Sequence, residues 1–199
     1  MSPFVGSNIL AGAAGQGGSG YTIQRSLRFN SGDSSYLSRT PSSAGNRKTW
    51  TWSGWVKRTL KSGVGGDIFS HVQNVNSQYS LYFGSNGTLG WHVYTGSFLA
   101  RKETSAVYRD PSSWYHIVAV WDTTNVTAAD RMRLYVNGIR VTTFSASVDP
   151  ALNLDSQINN TVEHGIGTNP PLKNAYNDIY FADVHFIDGQ ALDPTDFGE

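Results

Sequence analysis

Asn137-Gly138 lies between two alternating apolar runs, Met132–Val136 and Ile139–Val141, and fixes how this part of the chain folds. The pair is the strongest short-range signal for a two-residue hairpin, because a type I′ turn needs positive φ at both central residues. Just upstream, Trp114–Trp121 alternates so that Tyr115, Ile117, Ala119 and Trp121 share one side while Trp114, His116, Val118 and Val120 share the other. Both sides are largely apolar, so this strand is expected to be covered on both faces. The stretch Ser113–Val141 makes the chain a β-protein and supplies its scaffold.

The remaining segments read the same way. Ser26–Asn30 and Tyr36–Thr40 are expected as a first β pair joined by the polar turn Ser31–Ser34. Thr49–Arg58 sets Trp50, Trp52 and Val56 against Thr49, Thr51, Ser53 and Lys57, the period-two pattern of a half-buried strand. Gly54 interrupts the apolar side, which marks a bulge or a close backbone approach. Asp67–Gln73, Tyr79–Gly84 and Thr88–Thr95 follow as strands, with Phe98–Glu103 and Thr161–Ile166 as shorter additions. Asp122–Arg131 is a loop or one helical turn, and Phe144–Asn153 is polar and interrupted by proline. Tyr176–Ile187 closes the series, with Tyr180, Ala182, Val184 and Phe186 on one side and Asp183 and His185 on the other; the end after Ile187 has no room for another element. Turn signals recur about every 10 residues and no helical periodicity appears, as expected for a sandwich or barrel. At 199 residues one domain is expected.

Fifteen basic and fifteen acidic residues give zero net charge, which removes the electrostatic footprint of a nucleic-acid or anionic-membrane binder. No stretch approaches the roughly 20 apolar residues of a membrane-spanning helix. With no cysteine there is no disulfide, thiolate metal site or cysteine nucleophile. The beginning lacks the basic n-region of an export signal, its first positive side chain being Arg25. Six glycines between Gly6 and Gly20 instead describe residues 1–24 as a flexible Gly/Ala-rich arm ahead of a domain over 25–199. Phe4, Val5, Ile9 and Leu10 give that arm apolar anchors a plain linker does not need, and point to an assembly segment that orders on a neighbouring subunit.

Four phrases, SLRFNSGDSSYLSRTPSSAGNRKTWTWSGWVKR, DPSSWYHIVAVWDTT, LYVNG and FIDGQALDPTDFGE, resemble the laminin-G-like or concanavalin A-like lectin/glucanase domain of bacteriophage tail fibres and other virion proteins. The resemblance spans nearly everything from about Ser26 onward. It implies an all-β, antiparallel two-sheet jelly-roll sandwich, in agreement with the strand pattern. It also implies a virion protein assembled in the bacterial host cytoplasm, with other virion proteins as partners, a homo-oligomer such as a trimer, and a host-surface glycan as ligand. A stand-alone carbohydrate-binding lectin is the alternative, and a glucanase-like hydrolase a distant third.

Function does not follow from this fold, so each chemistry is weighed on its residues. The retaining glycosidases of the superfamily carry Glu-x-Asp-x-x-Glu on one strand; here the three glutamates, Glu103, Glu163 and Glu199, are far apart. No catalytic residue is assigned. The five histidines show no metal spacing such as H-x-x-x-H, and no G-x-S-x-G elbow is present. No cofactor is expected. Calcium is the one metal the pattern leaves open, through Asp67, Asp122, Asp178 and Asp188 at strand ends, where aspartates also serve simply to cap turns. For a sugar, His92, Tyr94 and Arg101 form the best set, since Leu89, Trp91 and Val93 take the core side and leave His92 and Tyr94 facing away. The alternative is that this outer face packs against a subunit.

Overall fold

The computed structural model describes residues 22–59 and 65–198. The arm anchors Phe4, Val5, Ile9 and Leu10 lie outside the described residues. Two antiparallel sheets form a sandwich. One holds six strands in the order β1 (Leu27–Phe29), β13 (Ile179–Asp188), β3 (Thr49–Arg58), β8 (Tyr115–Asp122), β9 (Met132–Val136) and β10 (Ile139–Arg140). The other holds seven: β11 (Phe144–Val148), β7 (Phe98–Val107), β6 (Thr88–Tyr94), β5 (Ser77–Phe83), β4 (Gly66–Asn74), β12 (His164–Ile166) and β2 (Leu37–Arg39).

The Asn137-Gly138 turn takes the backbone its residues call for, φ 50° and 73°, and sets Ile139 opposite Val136. Strand β8 runs between β3 and β9 with both faces buried. Ile117, Ala119 and Trp121 enter the main core with Trp50, Trp52, Trp91 and Leu134, while Val118 and Val120 pack on the opposite face with Tyr135, Ala191 and Phe197.

That second packing corrects the expectation for β3. Thr51 and Ser53 are fully buried, so the strand is covered on both sides. The cover is the end of the chain, which folds back across the outer face of the six-stranded sheet. The Thr51 hydroxyl donates to the Gln190 carbonyl at 2.8 Å and accepts from the Leu192 amide at 3.0 Å. This tail does hold an element of its own, a 3-10 helix at Pro194–Phe197, closed by a capping box between Asp193 and Asp196. Ser53 Oγ lies 2.8 Å from His116 Nε2, and that imidazole stacks on Trp55 at 5.0 Å. Two polar outer residues are thus buried at low cost because each meets a partner.

Strands β1 and β2 do not pair with each other. β1 pairs with β13 and β2 with β12, in different sheets, so the polar turn between them is a crossover. It is a 3-10 turn over Ser31–Asp33, held to the far end of the chain by the Asp178 carboxylate, which accepts from the Ser31 amide at 2.9 Å and hydroxyl at 2.8 Å. Phe29 commits β1 to the six-stranded sheet by packing on Phe181 at 5.2 Å.

Gly54 is a close approach: a β-carbon there would lie 2.8 Å from the Trp52 ring and 3.2 Å from Val184. The bulge belongs to the neighbouring strand, between Ala182 and His185, where Asp183 has φ 46°. An extra residue reverses the alternation of β13. Ile179 and Phe181 face the core before it and Val184 and Phe186 after it, so the expected single row Tyr180, Ala182, Val184, Phe186 is split between two faces. Phe144–Val148, part of the stretch read from the sequence as polar and interrupted by proline, is an edge strand paired with β7. Residues 167–178 cross the outer face of β4, where Ser70 Oγ donates to the Thr168 carbonyl at 2.9 Å and the Val72 amide to the Pro170 carbonyl at 2.7 Å.

Candidate functional site

The outer face of the seven-stranded sheet carries a connected set of polar and aromatic side chains across β4 to β7. Leu89, Trp91 and Val93 are buried in the core, so His92 and Tyr94 face outward as the alternation requires. Strand register then decides their neighbours. Ser80, His92 and Arg101 lie side by side in one row, and Asp67, Tyr82, Gly90 and Glu103 in the next.

In the second row Gly90 has a structural reason. A β-carbon there would overlap the Tyr82 ring, which lies over this position on its way from β5 to β7. The Tyr82 hydroxyl reaches Glu103 and donates to Oε2 at 2.6 Å, while the Thr88 hydroxyl donates to Oε1. Both oxygens of Glu103 are therefore engaged. Burial, reinforced by the Glu103 bond, raises the Tyr82 pKa and keeps the phenol protonated as the donor. At the other end of the row, Ser80 donates to Asp67, whose carboxyl burial nonetheless pushes up to about 6.

The first row leads to the sugar candidates, and the structure brings all three together through a fourth residue. Phe98, paired with Tyr94 across the Thr95–Ser97 turn, stands edge-on to Tyr94 at 5.0 Å and to His92 at 5.9 Å. The Arg101 guanidinium lies 4.6 Å from the Phe98 ring centre. His92 also meets the Tyr82 ring edge at 5.1 Å. Burial, then the positive charge of Arg101, lowers the His92 pKa to about 4, so its imidazole is neutral near pH 7. His92 Nε2 and Arg101 Nε are buried without a hydrogen-bond partner among the described residues.

A second concavity opens between the sheets, where the edge strand β2 approaches β13. It has a volume of about 470 Å³ and apolar walls from Leu37, Phe69, Ile166 and Phe186. Its polar groups are largely committed to one another. Asp188 Oδ1 accepts from the Asn46 amide at 2.7 Å and Asn159 Nδ2 at 2.6 Å, and His164 Nε2 accepts from the Asn159 amide at 3.0 Å. On the outer face of β6 and β7, by contrast, the Arg101 guanidinium forms no ion pair among the described residues.

The four aspartates considered for calcium do not fit together as a site. Asp67 is on β4, Asp122 at the end of β8, Asp178 before β13 and Asp188 at its end. Asp122 accepts from the Thr124 hydroxyl at 2.6 Å, and the other three are held by Ser80, Ser31 and Asn46. Among the described residues no three His, Cys, Asp or Glu side chains are grouped to hold a metal ion. Asp67 joins β4 to β5, Asp122 closes the turn after β8, and Asp178 and Asp188 hold the segments at Ser31 and Asn46.

Comparison with known proteins places this architecture. A family model described as the concanavalin A-like lectin/glucanases superfamily matches residues 30–195. The chain belongs to this superfamily. Among solved structures, this concanavalin A-like chain is similar to domains LG4-5 of the mouse laminin alpha1 chain, with TM-score 0.59 and 18% identity over 86% of this chain and 44% of that one. It is also similar to the binding domain of botulinum neurotoxin DC in complex with SialylT, with TM-score 0.55 and 16% identity over 87% and 40%. NanB sialidase from Streptococcus pneumoniae, as its K499G mutant, follows with TM-score 0.51 and 16% identity over 87% and 27%. The chain spans less than half the length of these three, and at such identities the likeness is one of fold. No curated protein matches it.

Two members of the outer-face set, Tyr82 and Phe98, are not evident from the sequence. A signal for each exists. Gly90 in the strand TLGWHVY marks a ring lying across it by the rule that applies to Gly54. Thr95-Gly96-Ser97 is a tight turn, with Gly96 at φ 80°, that brings Phe98 opposite Tyr94.

Proposed function

We propose that this chain is a non-enzymatic structural protein of a bacteriophage virion, a fibre or decoration subunit whose sandwich displays a glycan-recognition face to the host surface. The observation that carries the recognition part is the grouping of His92, Tyr94, Phe98 and Arg101 on the outer face of one sheet, with aromatic ring faces for the CH groups of a pyranose and the Arg101 guanidinium for its polar groups. The botulinum neurotoxin DC binding domain in complex with SialylT, 40% of which this chain covers, supports the reading at the level of fold. The virion context rests on the four phrases that resemble phage fibre domains, and with it come a homo-oligomeric assembly and attachment through residues 1–24.

The carboxylates support a binding module over a hydrolase. Asp67 and Glu103 share the outer face, on β4 and β7, with two strands between them and not on one strand as in the Glu-x-Asp-x-x-Glu arrangement. Each is also held by neighbouring hydroxyls.

Mass spectrometry of purified particles tests the virion role, and the expected result is stoichiometric recovery of this chain. Its absence from particles, with saturable binding on a glycan array, would establish the stand-alone lectin instead. Array binding is expected to be independent of calcium and to be lost in His92→Ala and Tyr94→Ala. Release of reducing sugar from a β-glucan would overturn the non-enzymatic reading.

A further inference from the structure

Arg101 and Lys102 are consecutive on β7 and are treated in opposite ways. Lys102 turns inward, and its ammonium is matched by Asp149 at 2.6 Å and Ser147 at 2.8 Å. Arg101 turns outward and forms no ion pair among the described residues. The carboxylate nearest in sequence, Glu103 on the same face, is already occupied at both oxygens by Tyr82 and Thr88. Stacking on Phe98 orients the guanidinium, and Glu103, two residues along the same face, stands near it without forming an ion pair.

From this geometry we infer that the outer face takes an acidic sugar, with Arg101 as the receptor for its anionic group and the Phe98 and Tyr94 rings as the platform for its ring. The inference rests on the glycan reading above and names the ligand class of the same site. A guanidinium presents a planar fork of donors that matches the two oxygens of a carboxylate or the face of a sulfate, and such charge-assisted pairs are about twice as strong as neutral ones. His92 stands beside it in register with an unpartnered Nε2. Its imidazole, neutral near pH 7, places no second cation beside the guanidinium. The face is therefore built to reward one negative charge next to an apolar ring face. Phe98 is 40% exposed, so the platform is open to the ligand.

The test is calorimetric titration of the full chain with a neutral oligosaccharide and its sialylated, uronic-acid and sulfated counterparts. At least one acidic sugar should bind about tenfold more tightly than its neutral parent, the value of one hydrogen bond to a charged group. The preference should shrink as salt is raised to about 0.5 M. The carboxylate and sulfate arms show which anion the fork takes. Arg101→Gln should bring the acidic-to-neutral affinity ratio to about one, and Arg101→Lys, which keeps charge without the fork, should leave an intermediate ratio. Tyr94→Ala should weaken acidic and neutral sugars alike, which separates stacking from charge. Equal binding of acidic and neutral sugars, or a preference that survives in folded Arg101→Gln, would overturn the acidic-sugar inference and leave the glycan reading standing. Failure of every sugar to bind would remove both.

Discussion

The Tyr82 hydroxyl donates to Glu103 at 2.6 Å by crossing the strand between them at Gly90, the one outward position there that offers it no side chain. Three strands are thereby linked by a single ring. Gly90→Ala should push the ring aside and cost on the order of 1 to 3 kcal/mol, as overpacking generally does. Tyr82→Ala should remove the clash, so the same Gly90→Ala change made in that background should cost little. A double-mutant cycle from urea denaturation reads the difference, and equal costs in both backgrounds would refute the crossing role of Gly90.

Asp67 and His92 titrate in opposite senses over one pH window. Burial lifts the Asp67 carboxyl from 3.8 to about 6, against the bond from Ser80, so its contribution to stability is full below pH 3.8 and is lost as pH rises through about 6. Burial and then Arg101 lower His92 from 6.5 to about 4, so its contribution is present above pH 6.5 and is lost as pH falls through about 4. Each is worth on the order of 3 kcal/mol, and in the native protein they largely offset one another between about pH 4 and 6.5. Relative to the native protein, Asp67→Asn should make stability rise more steeply with pH across that window and His92→Gln less steeply, on top of the rise from His71 and His164, whose pKa values burial also lowers. Denaturant midpoints followed through the window check both slopes; two variants with parallel slopes would contradict the assignment.

The tail that crosses the outer face of the six-stranded sheet acts as a third layer of packing. Phe197 and Ala191 cover Val118 and Val120, which have no exposed surface, and Phe197 meets the His116 and His185 rings at 6.3 and 5.9 Å. Phe197→Ala should destabilise by about 2 kcal/mol, below the range for a fully buried ring because Phe197 is half-buried. Thr51→Val should cost about 1 to 3 kcal/mol by leaving the Leu192 amide and the Gln190 carbonyl without their partner. Chemical denaturation of both variants is the measurement, and unchanged midpoints would show that the tail is passive.

What the sequence reveals and conceals follows from the range of each interaction. Strands such as Trp114–Trp121 and Thr88–Tyr94 are legible because alternation is local, and with it the outward placement of His92 and Tyr94. Pairing is set by contacts far apart in sequence: the Phe29–Phe181 contact and the Ser31–Asp178 bonds, which put β1 and β2 in different sheets, leave no local trace. Thr51 and Ser53 read as solvent-facing because they are polar, yet they are buried by partners at Gln190 and His116. Asp183 hides its bulge, since nothing in YFADVHF distinguishes one left-handed residue from a regular strand. The aspartates at strand ends are visible as ligand-like residues, but whether four of them converge depends on the loops, which carry them apart.

Lys102 gives the clearest measure of how this fold handles an inward charge. Its side chain is 5% exposed, its ammonium lies 4.9 Å from the Phe144 ring centre, and Asp149, with a side chain 33% exposed, supplies the counter-charge. Removing only the anion leaves a buried cation with Ser147 as its remaining acceptor, whereas removing the cation leaves a carboxylate that reaches water. Asp149→Asn should therefore cost more than Lys102→Met, by about 1 to 2 kcal/mol given the partial exposure of the pair. Methionine fills a similar volume under Phe144 and needs no partner. The same substitutions test the edge strand, because Ser147 and Asp149 bind β11 and its exit to β7. In Asp149→Asn, amide exchange should accelerate along Phe144–Val148 before it does in β8, and protection lost evenly across both sheets would show that the ion pair is not what holds the edge.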